Sequence, residues 1–270
     1  MALTNLQKEI LRCIAANRSN TSYFAGGLVL NKDWPRRSDD IDIFHDTDEE
    51  IGPSARQDIE TLRAAGFGIG VDVEVYGITE ATISRAKEST IIQWMSETRS
   101  RFFPLVRDDD WGARLNICDL AVNKMIAAST RSKARDFVDL AMIAARLSPL
   151  GPLAMAAAGK APHFSPQRTI DEIRRRAVSI PAEELLAIKG LSQGWNPAFI
   201  RDNLAAALDQ AERYIRKAPV QLVGLLAVRN GVPIEIDTVE AADVEFRHAT
   251  TEPEVLPTLP DQSPDWQKPD

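Results

Sequence analysis

The sequence has few of the residues that support redox or metal-thiolate chemistry. Its 270 residues include two cysteines, Cys13 and Cys118, and three histidines. Two cysteines are too few for a disulfide framework or a cysteine-based zinc site, so both are expected to be buried, reduced thiols. Redox chemistry is therefore not expected.

Long apolar runs are also absent. No stretch approaches the roughly 20 residues that cross a bilayer. The first residues, MALTNLQKEILRC, lack the basic and then apolar layout of a signal peptide. These absences favour a cytoplasmic protein without a membrane partner.

The chain has an excess of acidic residues, with a net charge of -7. Such a charge disfavours nucleic-acid binding, which depends on Lys and Arg contacts to phosphate. The acids are concentrated at the end, however: from Val239 onward there are eight acidic and two basic residues, so the rest is close to neutral. Basic clusters at 36–37, 99–107, 131–135 and 174–176 are either solvated helix faces or local cationic patches.

Hydrophobic periodicity predicts an α+β fold with a change of character near residue 115. Short strands and three helices are expected before it, and mainly helices after it. The predicted strands are 22–25, 41–45, 71–78, 81–85, 90–95 and 101–106. The predicted helices are 4–17, a short one at 28–30, 46–66, 115–129, 134–147, 169–177, 182–188 and 197–216.

Three further segments complete this division. Residues 149–166 are rich in Ala, Gly and Pro, and we expect a connection. Asn230-Gly231 predicts the turn of a small hairpin. The acidic, proline-rich residues 239–270 are expected to be largely disordered. The predicted organisation is thus a core of residues 1–114, a mainly helical domain of 115–238 that completes the site, and a tail of 239–270.

The stretch with the clearest chemistry joins Gly26-Gly27 to Asp40 and Asp42. Alternate residues of a strand share a face, so the two carboxylates are expected side by side, while His45 falls on the opposite face. Paired carboxylates suit a hard divalent cation that also binds phosphate. A glycine pair lets backbone N–H groups approach phosphates. The combination predicts a nucleoside triphosphate site.

The order strand, Gly-Gly, short helix and Arg37-x-x-Asp40-x-Asp42 resembles the polymerase-beta-like nucleotidyltransferase superfamily. Further along, DLAVNK ending at Lys124 and RDFVDL containing Asp136 resemble the second half of the AbiEii/AbiGii-type toxin nucleotidyltransferases. The resemblance covers about residues 23–140. It implies a mixed sheet flanked by helices, followed by a mainly helical region.

The resemblance also implies a role for each matching residue. Asp40 and Asp42 would bind Mg²⁺ or Mn²⁺, Lys124 would contact the triphosphate, and Asp136 would lie opposite it. Asp139 is expected to have the structural role of an i,i+4 partner of Arg135. The remaining nucleotide-binding set is Gly26, Gly27, Arg37 and Ser38.

Two departures from the family pattern concern activity. Leu28 follows the glycine pair where many relatives have Ser or Thr, and its side chain cannot hydrogen-bond a phosphate. The third carboxylate that usually joins the metal pair is not evident. The candidates for that position are Gln93, Glu97, Asp72 and Glu74.

Together these observations predict a magnesium-dependent nucleotidyltransferase that moves a nucleoside monophosphate from a triphosphate to an acceptor hydroxyl. The resemblance implies a toxin that acts on the 3′ end of transfer RNA and has a cognate antitoxin. Two alternatives stay open. The acceptor could be a small molecule or a protein, or the chain could be an inactive module that binds a nucleotide or a partner.

Overall fold

The computed structural model describes residues 3–161, 164–241 and 243–252. These residues form two compact units. The first unit contains the described residues up to Arg99 together with Leu105–Ile117, and the second contains Ser100–Pro104 and the described residues from Cys118 onward. In the part of the chain that is described, no helix is both long enough and apolar enough to cross a membrane.

A mixed seven-stranded sheet forms the first unit, in the order β3-β4-β5-β2-β1-β7-β6. The β2–β5 and β1–β7 pairs are parallel, and the others are antiparallel. The strands are β1 (Ser22–Ala25), β2 (Asp40–His45), β3 (Gly68–Val75), β4 (Ile78–Arg85), β5 (Glu88–Ser96), β6 (Val106–Asp108) and β7 (Gly112–Arg114).

The three helices of this unit are α1 (Asn5–Ile14), α2 (Gly26–Leu30) and α3 (Ile51–Ala64), and α1 and α3 pack on the sheet. Helix α1 begins with a capping box in which Thr4 and Gln7 exchange side-chain hydrogen bonds with each other's backbone. Helix α3 is followed by Gly66, whose φ of +84° is typical of a glycine that ends a helix. The predicted helices in this region are confirmed.

The two faces of β2, β5 and β4 differ in burial. One face, here called the covered face, contributes fully buried side chains such as Ile43, Ala81 and Trp94. The other, here called the open face, carries half-buried or exposed side chains at alternate positions. This alternation is the one expected of a sheet that is packed on one side. It places both Asp40 and Asp42 on the open face.

Helices and a small sheet form the second unit. The helices are α4 (Ile117–Thr130), α5 (Ala134–Arg146), α6 (Leu150–Lys160), α7 (Pro166–Val178), α8 (Ala182–Leu186) and α9 (Pro197–Ile215). The antiparallel strands β8 (Leu225–Arg229), β9 (Val232–Pro233) and β10 (Glu245–His248) follow, in the order β10-β8-β9. Asn230 and Gly231 have positive φ angles of 51° and 75°, which the predicted tight turn requires. The predicted mixed sheet with flanking helices, followed by a mainly helical region with a hairpin, is confirmed.

Residues 149–166, expected to be a connection, contain helix α6 instead. Pro149 precedes the helix and Pro152 lies in its first turn, where a missing N–H costs little. The glycines allow close packing. A Cβ on Gly151 would lie 2.5 Å from the Tyr214 ring, and one on Gly159 would lie 2.4 Å from the Gly224 carbonyl oxygen. The prediction is wrong because these glycines allow close packing of a helix rather than the turns of a connection.

The strand expected at residues 101–106 is also wrong. Only Arg101 forms a bridge, with Thr250, and β6 begins at Val106. The backbone N–H groups of Phe102 and Phe103 donate to the Asp119 carboxylate at 2.9 and 3.0 Å. The buried Asp119 carboxylate thus accepts the hydrogen bonds that a neighbouring strand would otherwise accept.

The predicted disordered tail needs a correction as well. Residues 245–248 form β10, because Val244 and Phe246 are buried in an apolar cluster with Met155 and Leu222. Residues 253–270, the rest of that tail, lie outside the described residues.

Candidate active site

The glycine pair and the acid pair are brought together by the pairing of β1 with β2. These strands are antiparallel, and Ala25 at the end of β1 lies opposite Asp42. Gly26 follows directly, with φ of +68°, and a Cβ on it would lie 1.7 Å from Asp42 Oδ2. No side chain fits in that space. Residue 26 must therefore be glycine for both its backbone conformation and its contact with the carboxylate.

Asp40 and Asp42 share the open face as predicted, whereas Ile41, Ile43 and His45 are buried beneath them. The Ser38 hydroxyl donates a hydrogen bond of 2.8 Å to Asp40 Oδ1. The loop that holds Ser38 is fixed from α1, since Gln7 Nε2 donates to the Ser38 carbonyl oxygen at 2.8 Å. These contacts set the orientation of the first acid.

Arg36 lies at the glycine turn, although the sequence had pointed to Arg37. The Arg36 guanidinium would be 2.4 Å from a Cβ on Gly27, and Ser38 Oγ would be 3.1 Å from it. Arg36 is buried, and its Nη1 donates to the Arg37 carbonyl oxygen at 3.0 Å, whereas Arg37 is exposed. Strand alternation does not extend to Arg36, because β2 begins at Asp40, so no local pattern in the sequence distinguishes Arg36 from Arg37.

Of the four candidates for the third carboxylate position, the structure places Gln93 next to the acid pair. Strand β5 runs parallel to β2, and Gln93 is the register partner of Asp42. Glu97 lies past the other end of β2, where its N–H donates to the His45 carbonyl oxygen at 3.1 Å.

The other two candidates lie on β3, at the edge of the sheet. Asp72 accepts a hydrogen bond of 2.7 Å from Thr82, and two strands, β4 and β5, separate its strand from that of the acids. Glu74 is opposite Thr79, which is on the covered face. Neither residue is beside Asp42.

A residue that sequence reasoning missed, Glu80, lies behind Gln93. Glu80 on β4 is the register partner of Gln93, and Gln93 Nε2 donates a hydrogen bond to Glu80 Oε2. The available signal was that Glu80 is the one charged residue in the segment 78–82. Alternation along the strand also places it on the open face. Which strand lies beside β4 is a long-range property that this signal does not contain.

The acid pair fits a divalent cation that is shared with a phosphate. Magnesium is commonly bound by one or two carboxylates, with phosphate oxygens and water completing the shell. In the described parts of the chain, no group of three or more His, Cys, Asp or Glu side chains could hold a metal ion unaided. The donor set of Asp40 and Asp42 would suit a cation whose remaining ligands are phosphate oxygens and water.

Lys124 and Asp136 lie in the second unit, on α4 and α5. Lys124 Nζ is 3.0 Å from Asp136 Oδ1 and 2.8 Å from Asp139 Oδ2. Arg131 contacts both Asp136 oxygens, with Nε at 2.7 Å and Nη2 at 3.1 Å. Lys124 thus pairs with Asp136, and Asp139, expected beside Arg135, contacts the same ammonium.

The electrostatics of this group follow from burial and pairing. Asp136 and Asp139 are fully buried. Burial alone would raise the pKa of Asp136, but the charges of Lys124 and Arg131 and their hydrogen bonds lower it to about 2. Asp136 is therefore ionised at neutral pH and fixes the position of the lysine ammonium.

His45 lies on the covered face, opposite the acid pair, as its position in the strand predicts. Its Nε2 lies 3.1 Å from Ser22 Oγ beneath the sheet. Burial, together with the nearby charge of Arg18, lowers the pKa of His45 to about 4. It is neutral at physiological pH and faces away from the acid pair.

The sequence matches no protein-family model and no curated protein. Three solved structures match this chain at low sequence identity. A putative nucleotidyltransferase from H. pylori is 15% identical, with a TM-score of 0.47, and the match covers 78% of this chain and 98% of that one. The nucleotidyltransferase toxin MenT4 of Mycobacterium tuberculosis is 17% identical, with a TM-score of 0.49 and coverage of 77% and 84%. A tRNA-processing enzyme is 12% identical, with a TM-score of 0.30 and coverage of 77% and 58%. All three TM-scores are below 0.5, so the chemistry has to be argued from the side chains themselves.

Proposed function

We propose that the chain is a nucleotidyltransferase, which moves a nucleoside monophosphate from a nucleoside triphosphate to an acceptor hydroxyl. The observation that carries this proposal is the contact between the Asp42 carboxylate and the Cα of Gly26, with Asp40 on the same open face. Carboxylates packed against a glycine turn combine a cation-binding group with backbone that phosphates can approach.

Asp40 and Asp42 would hold Mg²⁺ or Mn²⁺, which when bound neutralises charge on the phosphates. Ser38 orients Asp40 through its hydrogen bond. The Gly27 N–H and the Arg36 guanidinium beside it are donors suited to phosphate oxygens. In the reaction, the acceptor oxygen bonds to the α-phosphorus and loses its proton, the bond from the α-phosphorus to the bridging oxygen breaks, and pyrophosphate leaves.

The finer parts of the proposal rest on the sequence resemblance to AbiEii/AbiGii-type toxins. Lys124 would supply a further positive charge to the triphosphate, with Asp136 as its partner. The acceptor would be the 3′ end of transfer RNA, and an antitoxin protein would bind the chain. A cytoplasmic location is part of the same proposal.

A second candidate, a nucleotide-binding module without turnover, is favoured by two observations. Leu28 after the glycine pair is buried and offers phosphate no hydrogen bond. The register partner of Asp42 is the neutral Gln93 rather than a carboxylate. Nucleotide binding without pyrophosphate release would support this candidate.

The test is incorporation of label from each α-labelled nucleoside triphosphate into total transfer RNA in the presence of Mg²⁺. The isosteric change Asp42→Asn should lower incorporation by about 100-fold or more, because removing one of the two negative charges of the acid pair removes several kcal/mol of charge stabilisation. Asp110→Asn is the matched control, because that carboxylate is 70% exposed and, among the described residues, its ion pair is with Arg12 at the surface. Equal incorporation by Asp42→Asn and the unmutated chain would refute the assignment.

A further inference from the structure

The open face of the sheet carries a row of three polar residues, one on each of three neighbouring strands. Asp42 on β2 is in register with Gln93 on β5, which is in register with Glu80 on β4. Neighbouring strands are about 4.8 Å apart, so Gln93 is beside Asp42, and Glu80 is about 10 Å away. Gln93 thus separates the two carboxylates.

The hydrogen bond to Glu80 determines which way the Gln93 amide faces. An ionised carboxylate only accepts hydrogen bonds, so the atom of Gln93 that contacts it must be the NH₂ group. The carbonyl oxygen is then turned away from Glu80. Among the described residues of the first unit, no donor reaches this oxygen, while both Gln93 and Glu80 are half-buried.

We propose, on the basis of the function proposed above, that Gln93 supplies the third protein oxygen for the divalent cation held by Asp40 and Asp42. Glu80 is its positioning residue, which holds the amide with the carbonyl oxygen free. An amide oxygen is a suitable donor for a hard cation. It adds no negative charge to a pair of carboxylates that already repel each other.

This arrangement makes the effect of Glu80 indirect. Glu80 has Gln93 as its hydrogen-bond partner in the first unit, and no ion pair of Glu80 is present among the described residues there. Replacing Glu80 with glutamine would leave a neighbour that both donates and accepts, so the Gln93 amide would be free to turn over. The consequence should disappear when the Gln93 amide itself is absent.

The test measures binding of Mn²⁺ by electron paramagnetic resonance, with α,β-methylene nucleoside triphosphates as non-reacting partners. Gln93→Leu should weaken Mn²⁺ binding at least about 10-fold, and Glu80→Gln should weaken it by about 10-fold or somewhat less. The double variant should bind like Gln93→Leu alone. Glu88→Gln is the matched control, because this glutamate is exposed at the start of β5 and pairs in register with Arg85.

The outcomes separate this inference from the proposed function. Wild-type binding that Asp42→Asn abolishes and Gln93→Leu leaves intact would overturn the role of Gln93 and keep the nucleotidyltransferase site. A Glu80→Gln effect of equal size with and without Gln93 would overturn the positioning role. No Mn²⁺ binding by the unmutated chain with any of the four nucleotides would overturn both proposals. Urea midpoints for each variant identify loss of binding that comes from unfolding.

Discussion

Changing Gly26 to alanine tests whether the contact between the glycine turn and Asp42 defines the site. The new Cβ would lie 1.7 Å from Asp42 Oδ2, whereas ordinary contact begins at 3.4 Å. The carboxylate must therefore move by about 1.7 Å, or the turn must open. A displacement of about 1 Å at a reacting centre can lower activity about 100-fold, so we expect at least that loss of transfer.

Gly66→Ala is the matched control for backbone strain. Gly66 also has a positive φ, +84°, but the nearest atom to its Cβ would be Arg85 Nη2 at 4.0 Å. Both variants bear the left-handed penalty of roughly 1–2 kcal/mol in the free energy of unfolding. Only Gly26→Ala also displaces a carboxylate, so it should be the less stable of the two by urea denaturation, and it alone should lose Mn²⁺ binding.

A double variant tests, in the absence of any ligand, whether the Asp42 carboxylate is the cause of the lost stability. With Asp42→Ala, the two closest Asp42 atoms, Oδ2 at 1.7 Å and Cγ at 2.5 Å, are gone and only the Asp42 Cβ at 2.8 Å remains near the new Cβ. The cost of Gly26→Ala in the free energy of unfolding should therefore fall part of the way toward that of Gly66→Ala. A Gly26→Ala protein that binds Mn²⁺ and nucleotide like the unmutated chain would refute the reasoning. So would an unfolding cost that is the same with and without the Asp42 carboxylate.

Two further predictions concern buried charges. Since burial and Arg18 lower the pKa of His45 from 6.5 to about 4, its neutral form stabilises the fold above pH 6.5, and this stability is lost as the pH falls toward 4. Unfolding free energy should drop by about 2 kcal/mol from pH 7 to pH 5 in urea titrations, and His45→Gln should remove most of that slope, so an unchanged slope would contradict the assignment. Lys124→Met should lower the free energy of unfolding by about 3 kcal/mol or more at pH 7, because buried Asp136 and Asp139 lose their shared ammonium. A loss under about 1 kcal/mol would show that the Lys124 ammonium does not stabilise these two carboxylates.

Much of the fold could be predicted because it depends on local pattern. The apolar spacing of helix α1, the alternation along β2 and the turn at Asn230-Gly231 are each determined by neighbouring residues. Helix α6 was missed because its glycines meet residues far away in the chain, Tyr214 and Gly224. A local pattern does not contain such contacts.

The candidate site divides in the same way. Asp40 and Asp42 follow from alternation within one strand. Gln93 was one of four possibilities, because its selection depends on the parallel pairing of β5 with β2. Glu80 was not considered, since its place behind Gln93 depends on two successive pairings. A residue's place at the site becomes harder to predict with each strand that separates it from the acid pair, because each strand adds a pairing that sequence spacing does not determine.

The glycine pair and the acid pair are best understood as one structural feature rather than two motifs. Antiparallel pairing sets Ala25 opposite Asp42, so the turn after β1 falls on the second acid whatever the intervening loop does. A carboxylate at residue 42 then excludes any side chain at residue 26, and a glycine at 26 leaves the carboxylate room to face a ligand. The identities of these two residues are therefore mutually dependent, while residues 28–37 need only close the connection and bring Arg36 and Ser38 back to the turn.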